Sequence, residues 1–141
     1  MASANVELVR SIYADWEQGD FGSAEWADRD IEFVIADGPT PGCWRGLDAM
    51  AAVMRDLLSV WLDFRAEAEA LREIDGERVL GLAYNRGRGK ASGVEIGYMR
   101  GKAANLFHLH EGKVTRFVLY YDRDRALDEL GLAPETDSAT H

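Results

Sequence analysis

The sequence predicts an α+β domain in which three early helices cover one face of a curved, mostly antiparallel sheet and leave a conical interior. Three observations point there. Apolar residues recur at three- and four-residue spacing at 4–16 and 47–61, and alternate at spacing two at 31–37 and from about Leu62 to Tyr121. Tight-turn signals, Asp75-Gly76 and Glu111-Gly112, join the late alternating runs, and strands joined by hairpins are antiparallel. The chain has 141 residues, the size of a single domain, and 47% of them are hydrophobic and 29% charged, an ordinary globular balance.

Taken in order, Ser3 caps a helix from Ala4 whose Val6, Val9, Ile12, Tyr13 and Trp16 form one apolar face, and Gly19 stops it. Asp20 is the next capping residue, so FGSAEWA reads as a second short helix. Ile31 to Asp37 is the first strand, with Ile31, Phe33, Ile35 and Asp37 on one face. The loop DGPTPG follows, then a short strand at Trp44. The third helix spans about Leu47 to Trp61, with Met50, Val53, Met54, Leu57 and Trp61 as its buried stripe. Four strands complete the sheet: Leu62 to Ile74, Glu77 to Arg86, Val94 to His110 and Lys113 to Tyr121, with GRGKASG (87–93) as a glycine-rich turn. Asp122 caps DRDRALDE, read as a solvated helix ending at Gly131. Residues 1–134 form the domain and 135–141 a frayed tail.

Formal net charge is −9, which disfavours nucleic acid and anionic membranes as partners. The single cysteine, Cys43, cannot form an intrachain disulfide. Glu7 and Arg10 interrupt what would have to be a signal-peptide core, and no apolar run approaches the roughly 20 residues of a spanning helix, so the expected location is cytoplasmic. His108 and His110 share a face opposite Asn105 and do not make a metal site by themselves, and GRGKASG joins strand to strand without phosphate-loop spacing. Neither a cofactor nor a metal is expected.

The element order, with IYADWEQGDF near the start and NLFHLHEGKVTRFVLYYD near the end, resembles the nuclear transport factor 2-like superfamily, in particular its SnoaL-like and ketosteroid-isomerase-like branch, over about residues 4–132. The isomerase resemblance implies a catalytic carboxylate at Asp37 and a hydrogen-bond donor at Asn105, with the isomerase tyrosine aligned on Ile12 and Tyr13 one residue away. An alignment on the epoxide hydrolases of this superfamily puts Ala83, Asn85 and Leu119 where their Arg-x-Asp pair and second Asp stand, so that chemistry is rejected. The SnoaL cyclases imply an acid/base carboxylate, for which Asp37 or Glu95 could serve.

Strand parity independently places Asp37 at the end of one inward row and Asn105 at the head of another, so the two are expected to share an apolar cavity. Its walls are drawn from Ile12, Tyr13, Trp16, Phe33, Trp61, Glu95, Phe107, Phe117 and Tyr121. Three functions fit: cofactor-free proton transfer on a small apolar carbonyl compound, binding of a small hydrophobic molecule without turnover, or a packed interaction module. Val118, Tyr120 and Leu106 form an outer apolar row, which predicts a homodimer through the outer sheet face.

Overall fold

The computed structural model describes residues 3–22, 25–38, 41–59, 61–89 and 98–132, with the backbone alone at 61–63, 88–89 and 98–101. The elements are α1 (Ala4–Glu17), β1 (Ala27–Ile35), β2 (Gly42–Arg45), α2 (Leu47–Ser59), β3 (Trp61–Asp75), β4 (Arg78–Gly89), β5 (Tyr98–His110), β6 (Lys113–Tyr120) and α3 (Arg123–Glu129). The six strands form one sheet in the order β2-β1-β6-β5-β4-β3. Among the described residues only β1 and β6 pair parallel; the other pairs are antiparallel. Register shifts between Ala68 and Ala70, and between His108 and Leu109, mark bulges. Bulges bend and twist the strands that carry them, which helps the sheet to curl.

The α1 helix follows its sequence pattern. The Val6 N–H donates to Ser3 Oγ at 3.1 Å, and Val6, Val9, Ile12, Tyr13 and Trp16 are all buried. This face lies on β3 and β4. The α2 helix adds Met50, with Val53, Met54 and Leu57 half-buried beside it. Register does the rest. Phe33 pairs with Phe117, which pairs with Phe107. Three phenylalanines therefore stand in one row across β1, β6 and β5, with ring centroids 5.4 and 5.1 Å apart. Such pairs contribute about 0.5–1.5 kcal/mol each beyond their buried area.

Three expectations change. The described residues of 21–27, namely 21–22 and 25–27, are not helical: the Gly22 N–H donates to Asp20 Oδ1 at 3.1 Å, so the carboxylate that could cap a helix closes a turn instead, and β1 begins at Ala27. Among the described residues one helix, not three, precedes the sheet. Trp61 opens β3 instead of closing α2.

The third change concerns α3, which is not a solvated helix. Arg123, Ala126 and Leu127 are buried, and the last two pack on Leu80, Leu82, Leu106, Val118 and Tyr120. Spacing of three and four residues gives even this seven-residue helix an apolar stripe. Two helices thus cover one face of the sheet and α3 the other. Within a single chain Leu106, Val118 and Tyr120 are 4–5% exposed. The outer apolar row needs no second copy to bury it. Among the described residues, no helix is long and apolar enough to cross a membrane. The 135–141 tail, Glu95 and residues 90–93 of the glycine-rich turn lie outside the described residues.

Candidate functional site

The inward row of β5 runs Ala103, Asn105, Phe107, Leu109, all buried. Asn105 is the polar member. Its strand neighbours are Gly81 on β4 and Leu119 on β6. Gly81 carries no side chain, and that gap is filled by a side chain from α1: a Cβ at 81 would lie 2.3 Å from Tyr13 Oη. The Asn105 Nδ2 donates to that phenolic oxygen at 2.6 Å. Tyr13 is fully buried, edge-on to Trp16 and Phe107. Burial pushes its phenol well above the ordinary range, opposed by the Asn105 hydrogen bond and the positive charge of Arg123, so the phenol is neutral. Tyr13 thereby orients the Asn105 amide from behind. The remaining amide atom, Asn105 Oδ1, is buried with no protein partner. Buried amide oxygens are nearly always paired, and leaving one unpaired costs about 1–3 kcal/mol.

Asn105 forms part of the wall of a cavity of about 70 Å³ between α1, α2 and the sheet. At roughly 10–15 Å³ for a first water, that is room for several waters. The wall is mainly apolar, with Trp16, Phe21, Met54, Leu57, Phe64 and Phe117 prominent; its polar side chains include the amides of Asn85 and Asn105 and the phenol of Tyr121, whereas the Tyr120 phenol is on the other face, donating to Glu129 Oε1. Burial raises the Tyr121 phenol, as does the nearby charge of Asp37, so it too stays neutral.

Of the residues the sequence singled out, Trp16, Phe117, Tyr121 and Asn105 form part of the wall. Ile12, Tyr13, Phe33 and Phe107 are in the packed core, not among the cavity-lining residues. The Trp61 side chain and Glu95 are outside the described set. Tyr13, not Ile12, is the α1 residue that meets Asn105. The structure does not bring Asp37 to the cavity wall. Its Oδ1 accepts from the Tyr121 N–H at 2.6 Å and its Oδ2 from the Asp122 N–H at 3.3 Å. The carboxylate ties the end of β1 to the start of α3. Phe21, Met54, Phe64 and Asn85 were not in the predicted wall; Met54 carried a signal in the α2 stripe, and Asn85 a weak one as an amide in the inward row of β4.

His108 is on the opposite face, with its imidazole pKa lowered by burial and by Arg116 and Arg78. Among the described residues no cluster of three metal-ligating side chains occurs. Cys43 is exposed, and its thiol lies 3.6 Å from Glu32 Oε2.

No protein-family model matches the sequence, and no curated protein does. Solved structures do. A nuclear transport factor 2-like protein of unknown function from Burkholderia pseudomallei K96243 superposes with a TM-score of 0.73 at 20% identity, covering 90% of this chain and 97% of its own. The chain has the nuclear transport factor 2-like fold. A candidate SnoaL-like polyketide cyclase from Jannaschia sp. CCS1 shares that fold with a TM-score of 0.71 at 16% identity, over 93% of this chain and 94% of its own. So does TerC, co-crystallised with polyporic acid, with a TM-score of 0.69 at 21% identity, over 91% of this chain and 98% of its own. At these identities the likeness establishes the fold, and the activity has to be argued from the site.

Proposed function

We propose that this nuclear transport factor 2-like protein binds a small, uncharged, mostly apolar molecule bearing a hydroxyl group, with Asn105 as its polar anchor. The observation that carries the reading is Asn105 Oδ1, buried and unpaired at the wall of an apolar cavity. A ligand O–H donates to that oxygen. A hydroxyl also accepts from the amide nitrogen if the amide turns over, so it satisfies either orientation. A carbonyl, the group implied by the isomerase resemblance, only accepts, so it pairs with the amide in one orientation alone, the one in which the Tyr13 O–H donates to Oδ1. A charged ligand is disfavoured because no ionised side chain is among the wall residues, and an unpaired buried charge is costly. TerC, of the same fold, was co-crystallised with a small molecule.

Proton transfer with Asp37 as base is the competing reading. It asks a substrate to reach a carboxylate that two backbone N–H groups already hold and that is not among the wall residues. Binding without turnover therefore has the stronger support. The test is an NMR titration with benzyl alcohol and toluene. The parent should prefer the alcohol, Asn105→Leu should reverse that preference, and Asp37→Asn should leave it unchanged. A parent that binds toluene as tightly as benzyl alcohol, or neither at all, removes the reading.

A further inference from the structure

We infer that Asn85 is a second polar anchor in the same cavity, so that the ligand is elongated, apolar in the middle and uncharged but polar at both ends. This rests on the binding reading above and extends it from one hydroxyl to two.

Asn85 belongs to the row of β4 that carries Val79, Gly81 and Ala83 toward the helices. It is 9% exposed and lines the cavity. Its neighbours across the sheet are small, Ala66 on β3 and Gly101 on β5. Among the described residues its side chain has no hydrogen-bond partner. A strand position whose inward neighbours are alanine, glycine and valine gains nothing in packing from an amide. Unlike Asn105 Oδ1, the Asn85 amide atoms are not fully enclosed, so they remain accessible at the cavity wall. Asn105 has one hand on Tyr13, whereas the Asn85 side chain has no partner among the described residues.

The register sets how far apart the anchors stand. Asn105 lies opposite Gly81, and Asn85 is four residues farther along β4. At ~3.3 Å per residue and ~4.8 Å between strands, the two Cα atoms are about 14 Å apart. The two side chains are on the same face of the sheet, and both residues line the cavity. A ligand with a single polar group satisfies one of them. A ligand with two, separated by an apolar stretch, satisfies both, and the mainly apolar wall between them fits that middle.

Straight-chain primary alcohols and the matching terminal diols, from butyl to octyl, test this by calorimetric or NMR titration. A cavity with one anchor rejects the second hydroxyl of a diol by roughly tenfold, because that hydroxyl is buried unbonded. With two anchors, one length of diol should bind the parent at least as tightly as its alcohol. Asn85→Leu should then lower the ratio of diol to alcohol affinity at that length roughly tenfold. A thermal melt reports that the variant is folded, and Asn85→Ala serves if leucine is too large. Diols that lose to their alcohols at every length, or a diol-to-alcohol ratio that Asn85→Leu leaves unchanged, overturn the second anchor while the first stands. A parent that binds none of the alcohols overturns the binding reading itself.

Discussion

Replacing Gly81 with alanine probes the centre of the site without touching the cavity wall. The added Cβ would lie 2.3 Å from Tyr13 Oη, 2.7 Å from Cε2 and 2.9 Å from Cζ. Ordinary contact begins near 3.4 Å. The phenol must therefore retreat by about 1 Å in a core packed at crystal density. It has little freedom to do so, because Tyr13 is 1% exposed and its ring meets Trp16 and Phe107 edge-on at centroid distances of 5.2 and 5.9 Å. Overpacking of this kind costs about 1–3 kcal/mol. Loss of the Asn105 hydrogen bond adds about 1 kcal/mol. Alanine returns about 0.4–1 kcal/mol by restricting the unfolded chain. The expected net loss is about 1–3.5 kcal/mol, a fall in Tm of roughly 3–12 °C for a domain of this size. Urea denaturation and calorimetry on Gly81→Ala, Tyr13→Phe and the double variant measure it. Tyr13→Phe removes the atom nearest the new methyl, so the double variant should be less destabilised than the sum by more than ~0.5 kcal/mol. A neutral or stabilising Gly81→Ala, as for an open strand glycine, refutes the placement of Tyr13 over Gly81.

Two further outcomes test the surroundings of the site. Arg123 is 2% exposed; its Nη2 donates to Glu69 Oε1 at 2.5 Å and to the Ala83 carbonyl at 2.6 Å, and its Nε to the Ala103 carbonyl at 3.1 Å. In chemical denaturation Arg123→Met should cost about 2–4 kcal/mol, because those strand carbonyls lose their donor, whereas Glu69→Gln should cost under ~1 kcal/mol, since water reaches a carboxylate that is 43% exposed. The His108 imidazole has its folded pKa lowered below the ordinary 6.5 by burial and by Arg116 and Arg78, against Asp75 and Glu32. Below pH 6.5 the unfolded chain then binds the proton more readily, so this stability is fully present above that pH and is lost as pH falls through the folded value. Melting curves in that window should flatten in His108→Gln, and an unchanged slope counts against the assignment.

By itself the sequence determined the local elements and their buried faces. The stripe of α1, the alternation of β1, the Glu111-Gly112 hairpin and the caps at Ser3 and Asp122 are all as their patterns imply, because each depends on residues within one or two turns of the chain. Parity also placed Asn105 on the inner face, since side chains alternate strictly along a strand. Contacts between distant segments were decided only by tertiary structure. Ile12 and Tyr13 are both buried, and they differ by about 100° around the helix. Which of them meets Asn105 depends on how α1 is rotated on the sheet, and that is fixed by the space above Gly81, 68 positions away in the chain. Asp37 was legible as a carboxylate at a strand end, but its partners come from the β6–α3 junction. The stripe of α3 finds its apolar face only once β4, β5 and β6 are side by side. Asn85 and Asn105, read singly, are two asparagines in alternating strands. They come to border one cavity because register aligns Asn105 with Gly81, in the same inward row of β4 as Asn85.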